Sequence, residues 1–111
     1  MAEIFNRKKA LEFLDNDTEL LHILLQTFLE TEFSRDHLLK LMTDKKLEEA
    51  AGYTHRVKGA GRQLAMEKLA LSGQALEDVL RKKSQGNPWE LTEIFYNDYM
   101  EVSALIKDLN S

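Results

Sequence analysis

Leucine occurs 19 times in this chain, against seven valines and isoleucines combined, and a single proline stands at position 88. Unbranched side chains lose little rotamer freedom in a helix, whereas β-branched ones favour strands, so this bias points to helices. The spacing agrees. Leu20, Leu21, Leu24, Leu25, Phe28 and Leu29 recur every three or four residues, and no segment alternates with period two over a strand's length. With 111 residues there is room for one core, and the whole chain 1–111 is read as a single domain. Hydrophobic residues at 43% and charged residues at 31% describe a globular chain rather than a disordered one.

Punctuation divides the chain into helices. Leu11, Phe13 and Leu14 form a short amphipathic segment ending near Asp15. Asn16, with Glu19 three residues later, reads as an N-cap with a capping box. At Ser34 the pattern admits either a new cap or a bend within one long helix. Leu38, Leu41 and Met42 carry the apolar stripe to Asp44, which reads as the N-cap of a helix over Lys45–Leu64. A further helix is expected from Met66 to Lys83. Ser84-Gln85-Gly86 is a break, and Asn87-Pro88 opens the last helix as cap and first helical residue. The expected architecture is all-α: an up-and-down four-helix bundle with a short additional N-terminal helix, Ile4 and Phe5 being candidates for capping its end, the favoured role, or for partner contact.

Other classes are excluded on simple grounds. There is no cysteine, hence no thiolate metal site and no Cys nucleophile. No His-Glu-x-x-His or second Glu-x-x-His accompanies Glu19-x-x-His22, so no metal site is expected. No Gly-rich nucleotide loop is present. No apolar run nears bilayer length and the N-terminus lacks a signal-like apolar segment, so the expectation is a cytoplasmic protein without membrane contact. The net charge of −4 argues against nucleic acid as a partner.

One segment does not read as core alone. On a helical wheel, Leu47, Ala50, Tyr53, Thr54, Val57, Ala60, Gly61 and Leu64 share one broad side. Gly52, His55, Lys58, Gly59 and Arg62 fall on the other, in a stretch from Ala50 to Met66 without any acid. Glycine inside a helix costs about 1 kcal/mol against alanine. Gly61 is explicable by close packing, but Gly52 and Gly59 on the solvent side are not. They strip side chains from around His55, whose helical neighbours include Lys58 and Arg62. A bared imidazole beside cations suits a group carrying negative charge. His22 and His37 have no such surroundings and are read as ordinary polar residues.

The run His55-Arg56-Val57-Lys58-Gly59-Ala60-Gly61-Arg62-Gln63-Leu64 resembles the His-x-x-Lys-Gly signature of histidine-containing phosphotransfer (HPt) domains. The resemblance extends over nearly the whole chain, from Asp17-Thr18-Glu19-Leu20-Leu21 and Phe28-Leu29-Glu30 to Leu76-Glu77. Ala65 and Gln63 depart from the family's usual glycine and asparagine. The resemblance implies a phosphocarrier without ATP-dependent kinase activity of its own. It would pass a phosphoryl group between aspartates of response-regulator receiver domains through a phosphohistidine at His55. Lys58 and Arg62 would stabilise the phosphoryl group, Gly59 would leave room for it, and Glu77, with Gln74 a turn earlier, would support the imidazole. Receiver domains are the implied partners, with a hybrid sensor kinase as a further one. The chain needs no cofactor, the Mg²⁺ coming from the receiver, and a monomer suffices. The alternative is a non-catalytic helical adaptor that binds a receiver without carrying phosphate. The dimerisation half of a sensor kinase fits less well, because Arg56 stands where an acid is usual and no proline follows before Pro88.

Overall fold

The computed structural model describes residues 2–110 and, among them, holds six helices and no strand. They are α1 (Arg7–Phe13), α2 (Thr18–Glu30), α3 (Arg35–Thr43), α4 (Leu47–Gln63), α5 (Glu67–Leu80) and α6 (Pro88–Asn110). They form a helical bundle. α4 packs along α5, α5 along α6, and α6 returns against α2 and α3, while α3 also leans on α4. The core is a continuous cluster that includes Leu21, Leu38, Met66, Leu69, Leu76, Phe95, Val102 and Ile106. No helix among the described residues is long and apolar enough to cross a membrane.

The ambiguity at Ser34 resolves to a break. Thr31 has extended backbone, and the Ser34 side chain caps α3 by accepting from the amide of His37. The cause lies in Phe33, whose ring is buried among four others: Phe95 at 5.0 Å, Tyr99 at 5.2 Å, and Tyr53 and Tyr96 each at 5.7 Å. A continuous helix would give up the polar contacts that the break makes. The amide of Ser34 donates to the Tyr53 hydroxyl at 2.7 Å, and the Tyr99 hydroxyl donates to the carbonyl of Thr31 at 3.1 Å. Backbone groups orphaned by the break are thus satisfied by two of the rings that hold Phe33.

Three boundaries differ from the sequence expectation. Asp17, not Asn16, caps α2, its carboxylate accepting from Leu20 at 2.9 Å. Asn16 instead turns the chain with φ of 63°, a conformation a short polar residue tolerates. Asp44 ends α3 rather than starting α4, and α4 begins at Leu47 behind Lys46 with no side-chain cap. α5 stops at Leu80, short of Lys83. The connections after α3, α4 and α5 share one design, a left-handed residue whose following amide reaches back to close the helix end. These residues are Lys45, Ala65 and Lys82, none of them glycine. Asn87 does cap α6, accepting from Trp89 at 2.9 Å. Ile4 and Phe5 pack half-buried against the core as expected, and the N-terminal segment is pinned by Asn6 N–H to the Ala65 carbonyl and Lys68 N–H to the Glu3 carbonyl.

Replacing Phe33 by alanine should cost about 3–5 kcal/mol in urea unfolding, the range for a large aromatic removed from a packed core. A loss below about 1 kcal/mol would show that the aromatic cluster does not set the α2–α3 break.

Candidate functional site: a histidine on a buried ion-pair network

His55 sits mid-way along α4 with its side chain 58% exposed. The glycines around it behave as the wheel suggests. A Cβ built on Gly52 or Gly59 would meet nothing within 4 Å, so both positions are open space beside the ring. Gly61 lies on the packed side, where a Cβ would come to 3.0 Å from Leu69 Cδ2.

Lys58 corrects the wheel. It was expected on the solvent side with His55, yet its side chain is only 4% exposed. The reason is a partner on the next helix. Lys58 Nζ donates to Glu77 Oε1 at 2.8 Å and to Gln74 Oε1 at 2.9 Å. Its stem is admitted by Gly73 of α5, where a Cβ would stand 2.8 Å from both Lys58 Cβ and Phe95 Cε1. A lysine can bury its methylenes so long as its ammonium is paired, and that is what happens here. The buried stripe of α4 therefore runs through Ala50, Ala51, Thr54, Lys58 and Gly61.

Glu77 is the hub. Both its oxygens lie 3.1 Å from Nδ1 of His55. Oε1 also accepts from Lys58, and Oε2 accepts from Arg81 Nε at 3.0 Å. Arg81 in turn reaches back to α4 and donates from Nη1 to Glu48 at 2.9 Å. Burial pushes the Glu77 carboxyl up, but the hydrogen bonds from Lys58, Arg81 and His55, with the Lys58 charge, outweigh it and hold it at about 2 against an ordinary 4.5. An ionised carboxylate can only accept, so the shared proton belongs to Nδ1, and in the neutral ring Nε2 carries the lone pair.

The remaining expected residues join at the edge. Gln74 does not touch His55. Its carbonyl oxygen takes Lys58 and, at 3.3 Å, Arg62 Nη2, while its amide donates to Asp78 at 2.7 Å. Arg62 itself is exposed. His55, Lys58, Gly59, Arg62, Gln74 and Glu77 are thus brought to one α4–α5 surface. Arg81 and Glu48 were missed from sequence. The four-residue spacing from Glu77 to Arg81 signals a helical ion pair, but nothing in the chain says that α4 supplies Glu48 to the other side of it. His22 is exposed on α2, and His37 stands edge-on to Tyr53 at 5.0 Å, and neither is hydrogen-bonded into this network.

A family model described as the Hpt domain matches residues 12–111. The chain belongs to the Hpt domain family, the histidine phosphotransfer modules of two-component systems, which act as phosphocarriers rather than kinases and interact with response-regulator receiver domains. No curated protein and no solved structure matches the chain.

Because the folded-state value for Glu77 lies below the unfolded one, the unfolded chain takes up its proton first as pH falls. The stability contributed by the ionised carboxylate is complete above about pH 4.5 and is lost toward pH 2. Unfolding free energies measured across this window should therefore converge for the wild type and Glu77→Gln as the solution becomes more acidic. A difference that stays constant from pH 6 to pH 2 would contradict the assignment of Glu77 as the ionised hub.

Proposed function

We propose that this chain relays a phosphoryl group between receiver-domain aspartates through Nε2 of His55. The observation that carries the reading is the pairing of an exposed imidazole with a buried carboxylate: Nδ1 faces Glu77 at 3.1 Å on both oxygens, while the His55 side chain as a whole stays 58% exposed. The Nε2 lone pair attacks phosphorus in line, an N–P bond forms, and the P–O bond to the donor aspartate breaks, releasing its carboxylate. No proton need move, since Nδ1–H stays on the ring. The positive charge that the ring acquires is met by Glu77. Transfer to the second receiver is the same step reversed. Mg²⁺ belongs to the receiver in this scheme.

Supporting roles follow from placement. Lys58 serves the reaction by holding Glu77. Arg62 is the exposed cation on this side and is assigned to the phosphoryl oxygens. Gly52 and Gly59 leave the approach to the ring clear.

Incubation with a phosphorylated receiver should place an acid-labile, base-stable label on this chain, and His55→Gln should abolish it. Label surviving in His55→Gln would overturn the site, and receiver binding without any label would make the chain a non-catalytic adaptor. Gly59→Ala separates access from stability. It should raise the unfolding free energy by about 0.5–1 kcal/mol, since alanine is the better helix former and the space is open. It should nonetheless slow transfer by about tenfold, because small displacements of a docked reactant are costly. Unchanged transfer would remove the argument from bare surroundings.

A further inference from the structure

Glu77 presents a problem that its neighbours solve. A lone carboxylate against Nδ1 would orient the ring but would also favour its protonated form, which has no lone pair for attack. A carboxylate held by one cation alone would rotate toward it and take Nδ1–H on a single oxygen. Neither occurs. Lys58 takes Oε1 and Arg81 takes Oε2, one cation for each oxygen, and Nδ1 lies 3.1 Å from both.

We propose that Arg81 is a positioning residue for His55: together with Lys58 it clamps the two oxygens of Glu77, aims the carboxylate at Nδ1 and offsets its charge, so that the ring is held by Nδ1 with Nε2 left for transfer. The proposal rests on the phosphotransfer reading of His55 and adds the device that tunes it. Arg81 does not touch the ring. It acts through Glu77 and is itself anchored by Glu48 one helix away, at 2.9 Å. Its side chain is 27% exposed, between the buried Lys58 and the open Glu48 at 80%.

The charges of the network come from two helices. From α4 they are Glu48, Lys58 and Arg62. From α5 they are Glu77, Arg81 and, through Gln74, Asp78. From α6 the ring of Phe95 stands beside Gly73. From α1, Lys9 shares a shallow hollow with Arg62 and Gln74, beyond the carboxylate. Among these, Arg81 and Lys58 are the cations bonded to Glu77, and Arg81 is the one that can be changed without emptying the buried α4–α5 contact.

The test follows the His55 ring by NMR through a pH titration in full-length wild type, Arg81→Gln, Arg81→Lys and, as a surface control on the same helix end, Lys83→Gln, with thermal unfolding to confirm that each is folded. Arg81→Gln removes a cation that offsets the Glu77 charge and should move the His55 midpoint upward. It should also weaken the nitrogen-shift signature of the Nδ1–H tautomer. The acid limb of the transfer rate against pH should move upward by the same amount, with rates converging in alkali. Arg81→Lys keeps the charge and should restore the midpoint, and Lys83→Gln should titrate like the wild type. Superimposed titrations and rate profiles for Arg81→Gln and wild type would overturn the clamp while leaving phosphotransfer at His55 intact. A shifted titration with no label on His55 would overturn the transfer reading and, with it, the purpose assigned to the clamp.

Discussion

A carboxylate enclosed between two helices stays ionised only if cations accompany it, and the α4–α5 surface is organised by that requirement. Glu77 is 7% exposed and is bonded by Lys58 and Arg81. Removing one partner from such a pair leaves an uncompensated buried charge, which is far more damaging than the pair is stabilising. The geometry of the rest follows. Gly73 is small because the Lys58 stem and the Phe95 ring occupy the space a Cβ would take. Gln74 fills the remaining ammonium contact and passes it on to Arg62 and Asp78. His55 receives a fixed acceptor without being buried itself. The exposed histidine thus stands on a network whose centre, Glu77 with Lys58, is buried.

The opposite side of the bundle uses aromatic packing in the same way that this side uses charge. Phe33 is drawn into a ring cluster from α4 and α6, and the chain leaves helical geometry to put it there. The hydroxyls of Tyr53 and Tyr99 take over the hydrogen bonds that the break would waste. Tyr53 lies on α4 two residues before His55, so the helix that presents the histidine also bonds the break in the α2–α3 connection. Arg35 adds a bidentate ion pair with Glu93 across α3 and α6. α4 is therefore held by rings through Tyr53 and by the Glu77 network through Lys58.

The helix ends show where a sequence reading is weakest. At α2 a polar residue that can cap stands next to the one that does, and at α4 no side chain caps at all. Asn16 yielded to Asp17, and Asp44 proved to finish a helix instead of starting one. The reason is that helix ends are closed here by left-handed residues at Lys45, Ala65 and Lys82, which carry no glycine signal to announce them. At Ala65, buried beneath the N-terminal segment, the methyl group compensates part of the strain by packing.

Leucine excess, helical spacing and the lack of any period-two segment were enough to determine an all-α bundle, because side-chain entropy and hydrophobic periodicity are local properties. The bare setting of His55 was equally legible, since two glycines at helical neighbours of one histidine need no knowledge of the rest of the fold. What only the tertiary structure decided was the fate of the charges. Lys58 reads as a surface cation until α5 offers it a carboxylate 19 residues away, and Arg81 and Glu48 become partners across 33 residues only when α4 and α5 lie side by side. Charge placement depends on which helices meet and at what height, and the chain's local pattern contains no term for that.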